Sequence, residues 1–172
     1  MKLIGPFKQI ITLANLPLRG KLVDEQLEII SDGGVIVHDG KVFETGNFSD
    51  LEVKYPEVET EKIAENHILL PAFVDCHTHI CFGGNRANDF AMRNAGKTYL
   101  EIAESGGGIW SSVVHTRAAS SEDLLKTLLE RIKKLTDLGI TTIEIKSGYG
   151  LDVENELKML RVIKGAQKKT DA

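Results

Sequence analysis

Two short runs with strand character, HILLPAFVD at 67–75 and ITTIEIKS at 140–147, are separated by one amphipathic stretch and followed by another. Between them Leu124, Leu125, Leu128, Leu129, Ile132, Leu135 and Leu138 share one face at helical spacing, which predicts a helix from about Glu122 to Leu138. Ser120 or Ser121 supplies its N-cap, and Gly139 is the natural residue just past its end. A second helix is expected from about Val153 to Lys168, capped by Asp152, with Leu157, Leu160 and Ile163 facing inward. Strand, loop, helix, strand, helix is the opening of a βαβα series, whose strands lie parallel with the helices outside. Two parallel strands cannot close a sheet, and the chain reaches KKTDA where the next strand is due. The fold class expected is therefore α/β, the start of a (β/α)8 barrel left incomplete in this chain. Such barrels need roughly 250 residues, against 172 here.

The first 66 residues read differently. A short strand is expected at ITL, 11–13, and GVIVHDGKVFETG, 34–46, brings two β-branched runs together at Asp39-Gly40, a pair suited to a type I′ hairpin turn. This part is expected to be a small antiparallel sheet. Residues 47–66 are charged and broken by Pro56, which predicts a surface connection with one short helical turn. The division expected is 1–66, the N-terminal part of a small β domain, and 67–172, the first βα units of the barrel. Residues 83–118 are Gly-rich around TYLEIAES, and predict a functional loop with a short helix.

Charge and composition exclude some classes of function. The net charge of -4 is spread without a basic stripe, so nucleic acid is not an expected partner. No apolar run approaches a membrane span, and MKLIGPFKQIITLA has no signal-peptide core followed by a cleavage site. A cytoplasmic protein without a membrane partner is expected. Cys76 and Cys81, the two cysteines, are read as free thiols.

The chemistry concentrates in DCHTHICFGGNR, 75–86, at the C-terminal end of the first run, the end where barrel active sites gather. On a strand, residues two apart project to one face about 6 to 7 Å apart, so His77 and His79 can turn both imidazoles toward one divalent metal. A lone His-x-His also fits one ligand and one packed bystander. A divalent metal with open positions lowers the pKa of a bound water and polarises a carbonyl, as hydrolysis of an amide-like bond requires. Arg86, after the Gly83-Gly84 pair, suits a bidentate grip on a carboxylate or a plain surface salt bridge. Tyr149, between Gly148 and Gly150 at the end of the second run, is a pocket hydroxyl or the exposed tip of a tight turn. Lys146 reads as a structural lysine or a carboxylated metal bridge. His38 and His67 read as surface or structural residues, His115 as a polar loop residue, and Trp110 as a packed anchor. Gly106-Gly107-Gly108 lacks the GxxxxGK[ST] pattern and is no phosphate loop.

LPAFVDCHTHICFGGNRANDFAMRNAGKTYLEIAESGGGIWSSVVHTRAAS and GITTIEIKSGYGLD closely resemble the imidazolonepropionases, metal-dependent members of the amidohydrolase superfamily. The resemblance runs from about residue 34 onward. It implies a (β/α)8 metal-dependent hydrolase barrel beside a β-sandwich built from both chain ends. The reaction it implies is hydrolysis of the cyclic amide of 4-imidazolone-5-propanoate to N-formimidoyl-L-glutamate in histidine degradation. By position, His77 and His79 are implied as the first two ligands of a zinc or iron ion, Arg86 as the residue holding the substrate's carboxylate, and Tyr149 as a substrate-contacting hydroxyl, with Tyr99 also facing the pocket. The family's third histidine ligand, its second substrate histidine and the Asp that handles the proton all lie beyond residue 172, so no catalytic residue is expected in this chain. Exposed strand edges predict a homo-oligomer or completion by the missing C-terminal part. Two other readings are another cyclic-amide hydrolase of the superfamily and a non-catalytic relic.

Overall fold

At Asp39-Gly40 the backbone turns through two residues of positive φ, 50° and 71°, which is the geometry that suits a right-twisted hairpin. The strands it joins are β2, Ile29–His38, and β3, Lys41–Asn47. We describe residues 1–64 and 66–172 of a computed structural model; Glu65, inside the connection expected at 47–66, lies outside the described residues. The chain forms two compact units, Met1–Pro71 and Ala72–Ala172.

In the first unit the strand expected at 11–13 is instead β1, Lys2–Ile11. Gly5-Pro6 hides it from a pattern reading: one extra residue of β1 lies between Ile4 and Phe7 against Val35 and Gly33 of β2, a bulge at the point where proline has no N–H to offer. The connection at 47–66 carries more structure than expected. Phe48–Lys54 forms α1, with the Asn47 carboxamide accepting from the amides of Ser49 and Asp50, and Glu59–Lys62 forms β4. The sheet runs β3-β2-β1-β4, with β5, Ile68–Leu69, also on β1. It is mixed, not purely antiparallel, because β4 and β5 both pair with β1 in parallel. Leu3 and Ile36 are buried with Phe48 and Leu51 of α1, while Phe7, Ile10 and Val35 form a separate cluster.

The run 67–75 is not one buried strand. Ile68–Leu69 joins the first unit's sheet, which is why the units divide after Pro71 and not at 66; β6, Phe73–Thr78, belongs to the second unit. Phe73 and Val74 are more than half exposed, since β6 has one strand neighbour among the described residues. That neighbour is β7, Ile140–Ile145, which lies parallel to it as the βαβ order requires. Between them come α2, Ala87–Asn94, α3, Tyr99–Glu104, α4, Gly108–Ala118, and α5, Ser121–Thr136. The Gly-rich region is thus mostly helical.

On α5 the Ser120 hydroxyl accepts from the Asp123 amide and Gly139 has φ of 84°, as the sequence indicates. Leu124, Leu128 and Ile132 are buried, whereas Leu138, past the helix end, is exposed. The last helix, α6, spans Val153–Gln167 and is capped by Asp152, but its inner face differs from expectation. Met159, Val162 and Ala166 are buried; Leu157 and Leu160 are largely exposed and Ile163 is partly buried. This helix is apolar over a wide arc, and packing against α5 takes up the stripe of Met159, Val162 and Ala166 rather than that of Leu157 and Leu160. Cys81 joins that core, where burial pushes its thiol up to about 11. Among the described residues no helix is long and apolar enough to cross a membrane.

Candidate metal and substrate site

The site lies at the C-terminal ends of β6 and β7. Thr78, buried at the end of β6, donates from its hydroxyl to the Glu144 carbonyl at 2.8 Å, and the Lys146 amide donates to the Thr78 carbonyl at 2.9 Å. The two strand ends are thereby locked together, with His77 and His79 on one and Ser147-Gly148-Tyr149 leaving the other. Alternation about Thr78 puts both histidines away from the helical core. Their ring centroids are 5.3 Å apart, with His77 exposed and His79 half-buried.

Tyr149 meets this pair. Its ring lies 5.9 Å from that of His79 and 5.9 Å from that of Phe82. Gly148 permits the approach: its φ is +143°, and a Cβ there would stand 3.1 Å from His79 Cε1. The sequence-predicted residues His77, His79 and Tyr149 are therefore gathered in one place. Lys146 pairs with Glu144 at 3.1 Å and is exposed, a structural ion pair.

Arg86 reaches Ser112 of α4. Its Nε donates to the Ser112 hydroxyl at 3.0 Å and its nearest carboxylate, Asp89, is 4.0 Å away, while its Nη2 is buried with no hydrogen-bond partner among the described residues. Arg86 lines a cavity of about 230 Å³ together with Tyr99, Asp89 and Arg93. No histidine lines it. His115 is helical, not in a loop, with Nδ1 2.6 Å from the Ser111 carbonyl oxygen, and it packs under Gly84. Trp110 is exposed with the Arg117 guanidinium 5.8 Å over its ring, not a buried anchor.

Among the described residues no group of three or more His, Cys, Asp or Glu could hold a metal ion. His77 and His79 fit a metal as half a ligand set, since two neighbouring imidazoles suit zinc or iron but a tetrahedral or larger site needs further donors.

Three curated relatives fall over most of this chain. An imidazolonepropionase of Pyrobaculum arsenaticum is 34% identical over 164 residues, 95% of this chain and 40% of the relative. That of Colwellia psychrerythraea is 49% identical over 137 residues, 77% of this chain and 32% of the relative. That of Paracoccus denitrificans is 47% identical over 134 residues, 78% and 33%. The chain matches the N-terminal portion of imidazolonepropionases. It spans about a third to two-fifths of their length. No family model matches the chain. In fold it is similar to E. coli guanine deaminase, with a TM-score of 0.62 at 18% identity, over 98% of this chain and 35% of that one. The fold is accordingly α/β, a mixed sheet followed by βα units, as in that neighbour.

Two residues that the sequence reading missed shape this site. Arg131 on α5 donates to the carbonyls of Ile80 and Phe82, and Glu156 on α6 accepts from the amides of Gly150 and Leu151. Each sits on an amphipathic helix among other charged residues, where nothing local marks it.

Proposed function

We propose that this chain supplies part of the active site of an imidazolonepropionase, a cytoplasmic (β/α)8-barrel enzyme that hydrolyses 4-imidazolone-5-propanoate to N-formimidoyl-L-glutamate in histidine degradation. The observation that carries the reading is the convergence of His77, His79 and Tyr149 at the joined strand ends, in a chain whose relatives catalyse a reaction of that name. His77 and His79 would hold one zinc or iron ion, with further ligands from the part of the protein corresponding to the relatives' remaining length. When bound, such an ion supplies Lewis acidity toward the ring carbonyl and toward water.

The chain's own residues bind and orient. Arg86 is fixed through Nε by Ser112 and keeps a buried Nη2 without a partner among the described residues, a donor that a substrate carboxylate would satisfy. Tyr99, on the same cavity, stands ready beside it. Tyr149 presents its ring to His79 and is backed by Phe82, so its hydroxyl can meet the substrate beside the ion.

The test is hydrolysis of 4-imidazolone-5-propanoate by metal-loaded protein completed with the remaining part of such a relative, followed by loss of the imidazolone absorbance. Arg86→Ala should lower kcat/KM by about 10- to 100-fold, the worth of a lost charge-assisted pair, and leave a neutral cyclic amide almost unaffected. Equal loss on both substrates, or no hydrolysis with any metal, would refute the proposal.

A further inference from the structure

The two segments that carry the site leave their strands as irregular backbone, and irregular backbone beside a binding site needs partners for its polar groups. After β6, residues 80–84 turn their carbonyls toward α5. There Arg131 Nη1 donates to Ile80 O at 2.8 Å and Phe82 O at 2.7 Å, Nη2 donates to Gly84 O at 3.4 Å, and the guanidinium carbon lies 3.6 Å from the centroid of the Phe82 ring. After β7, residues 147–151 turn their amides toward α6. There Glu156 Oε1 accepts from Gly150 N at 2.7 Å and from Leu151 N at 2.8 Å, while Arg117 Nε donates to Gly150 O at 2.6 Å.

A cation thus answers the carbonyl side and a carboxylate the amide side, each through the strong, charge-assisted kind of hydrogen bond. The segments so held meet through their rings: Phe82 against Tyr149, Tyr149 against His79, His79 against His77. Ile80 directly follows His79 and Gly150 directly follows Tyr149, so a shift in either grip moves a site side chain. We infer that Arg131 and Glu156 are positioning residues, Arg131 setting Phe82 and His79 and Glu156 setting Tyr149, so that the histidine pair and the tyrosine hydroxyl face one point. Their functional meaning rests on the proposed hydrolase site; their geometry does not. Burial pushes the Glu156 carboxyl upward, but hydrogen bonds from the Ser147 hydroxyl and the amides of Leu151, Gly150 and Gly148 outweigh it and hold the group below the ordinary carboxylate value. It is an anion near neutral pH, as the grip requires.

The experiment is nuclear magnetic resonance on the whole chain without metal or substrate, so its outcome is independent of the hydrolysis assay. In the wild-type protein the Gly150 and Leu151 amides should be protected from hydrogen exchange although they lie outside any helix or strand. Glu156→Gln should lower that protection by about tenfold, one ordinary net hydrogen bond, and remove the Tyr149–His79 cross-peak. Arg131→Lys, which keeps the charge but loses the planar fork, should weaken the Phe82–Tyr149 cross-peak and leave exchange inside α5 unchanged. Cross-peaks of undiminished intensity in both folded variants would overturn the inference. So would unprotected Gly150 and Leu151 amides in the wild-type protein, a result that needs no variant to fold.

Discussion

The turn after β6 and the turn after β7 solve one problem with opposite charges. In the first, Arg131 gathers three carbonyls; in the second, Glu156 gathers two amides. Both also press a glycine onto a helix backbone. A Cβ on Gly83 would lie 2.5 Å from the His115 carbonyl oxygen, and one on Gly150 would lie 2.5 Å from the Glu156 amide nitrogen. The difference lies in what the grip covers. Arg131 also covers the Phe82 ring, whereas Glu156 accepts from backbone amides and the Ser147 hydroxyl. A guanidinium can serve as hydrogen-bond fork and aromatic lid together; a carboxylate can serve only as acceptor.

If that comparison holds, Arg131→Met should be the costlier loss, about 3 kcal/mol or more in urea unfolding, because it leaves several carbonyls short of partners at once. The corresponding change, Glu156→Leu, should cost less, about 1 to 2 kcal/mol, since it leaves two amides rather than three carbonyls without their partner and that of exposed Leu151 can turn to water. Equal costs would erase the distinction between the turns. The glycines sharpen it from the other side: Gly83→Ala and Gly150→Ala should each destabilise by about 1 to 3 kcal/mol through overpacking against backbone that cannot yield. An unchanged melting temperature in either variant would show that its turn is looser than described.

A pH-dependent effect, absent near neutral pH, concerns Cys81, at the base of the β6 turn. Its thiol is raised from an ordinary 9.0 to about 11 by burial, despite the nearby Arg131 charge. A raised value means that the folded state holds the proton more tightly. This contribution to stability is therefore complete below pH 9 and disappears as pH climbs from 9 through 11. Cys81→Ser, whose hydroxyl does not titrate in this range, should flatten that part of the stability curve; an identical curve would locate the alkaline loss in another group. Exposed Cys76 should react with a thiol reagent at pH 8 while Cys81 does not.

What could be read from the sequence was local. The Ser120 cap, the run of leucines on α5, the Asp39-Gly40 turn and the β-branched run of β7 each signal through neighbours a few residues away, and the structure carries all four. His77, His79 and Tyr149 could be named because strand ends and glycines set them apart. Failures came where a partner distant in sequence decides. Gly5-Pro6 disguised β1, whose bulge is set by its pairing with β2. Leu157 and Leu160 looked like the inner face of α6 until packing on α5 favoured Met159 and Val162. Arg131 and Ile80 stand 51 residues apart, so no window along the chain could show their bond. Arg86 was expected to grip a carboxylate; it lines a cavity with Tyr99, and its Ser112 partner on α4 lies 26 residues away, outside any local window.

The central claim is that His77 and His79 together begin a metal site. Equilibrium dialysis against zinc of the protein completed with the remaining part of an imidazolonepropionase relative, beside the same complex carrying His77→Ala or His79→Ala, tests it most directly. Zinc uptake that falls with either substitution is the result this account predicts; uptake equal in all three proteins, or none in the wild type, would contradict it.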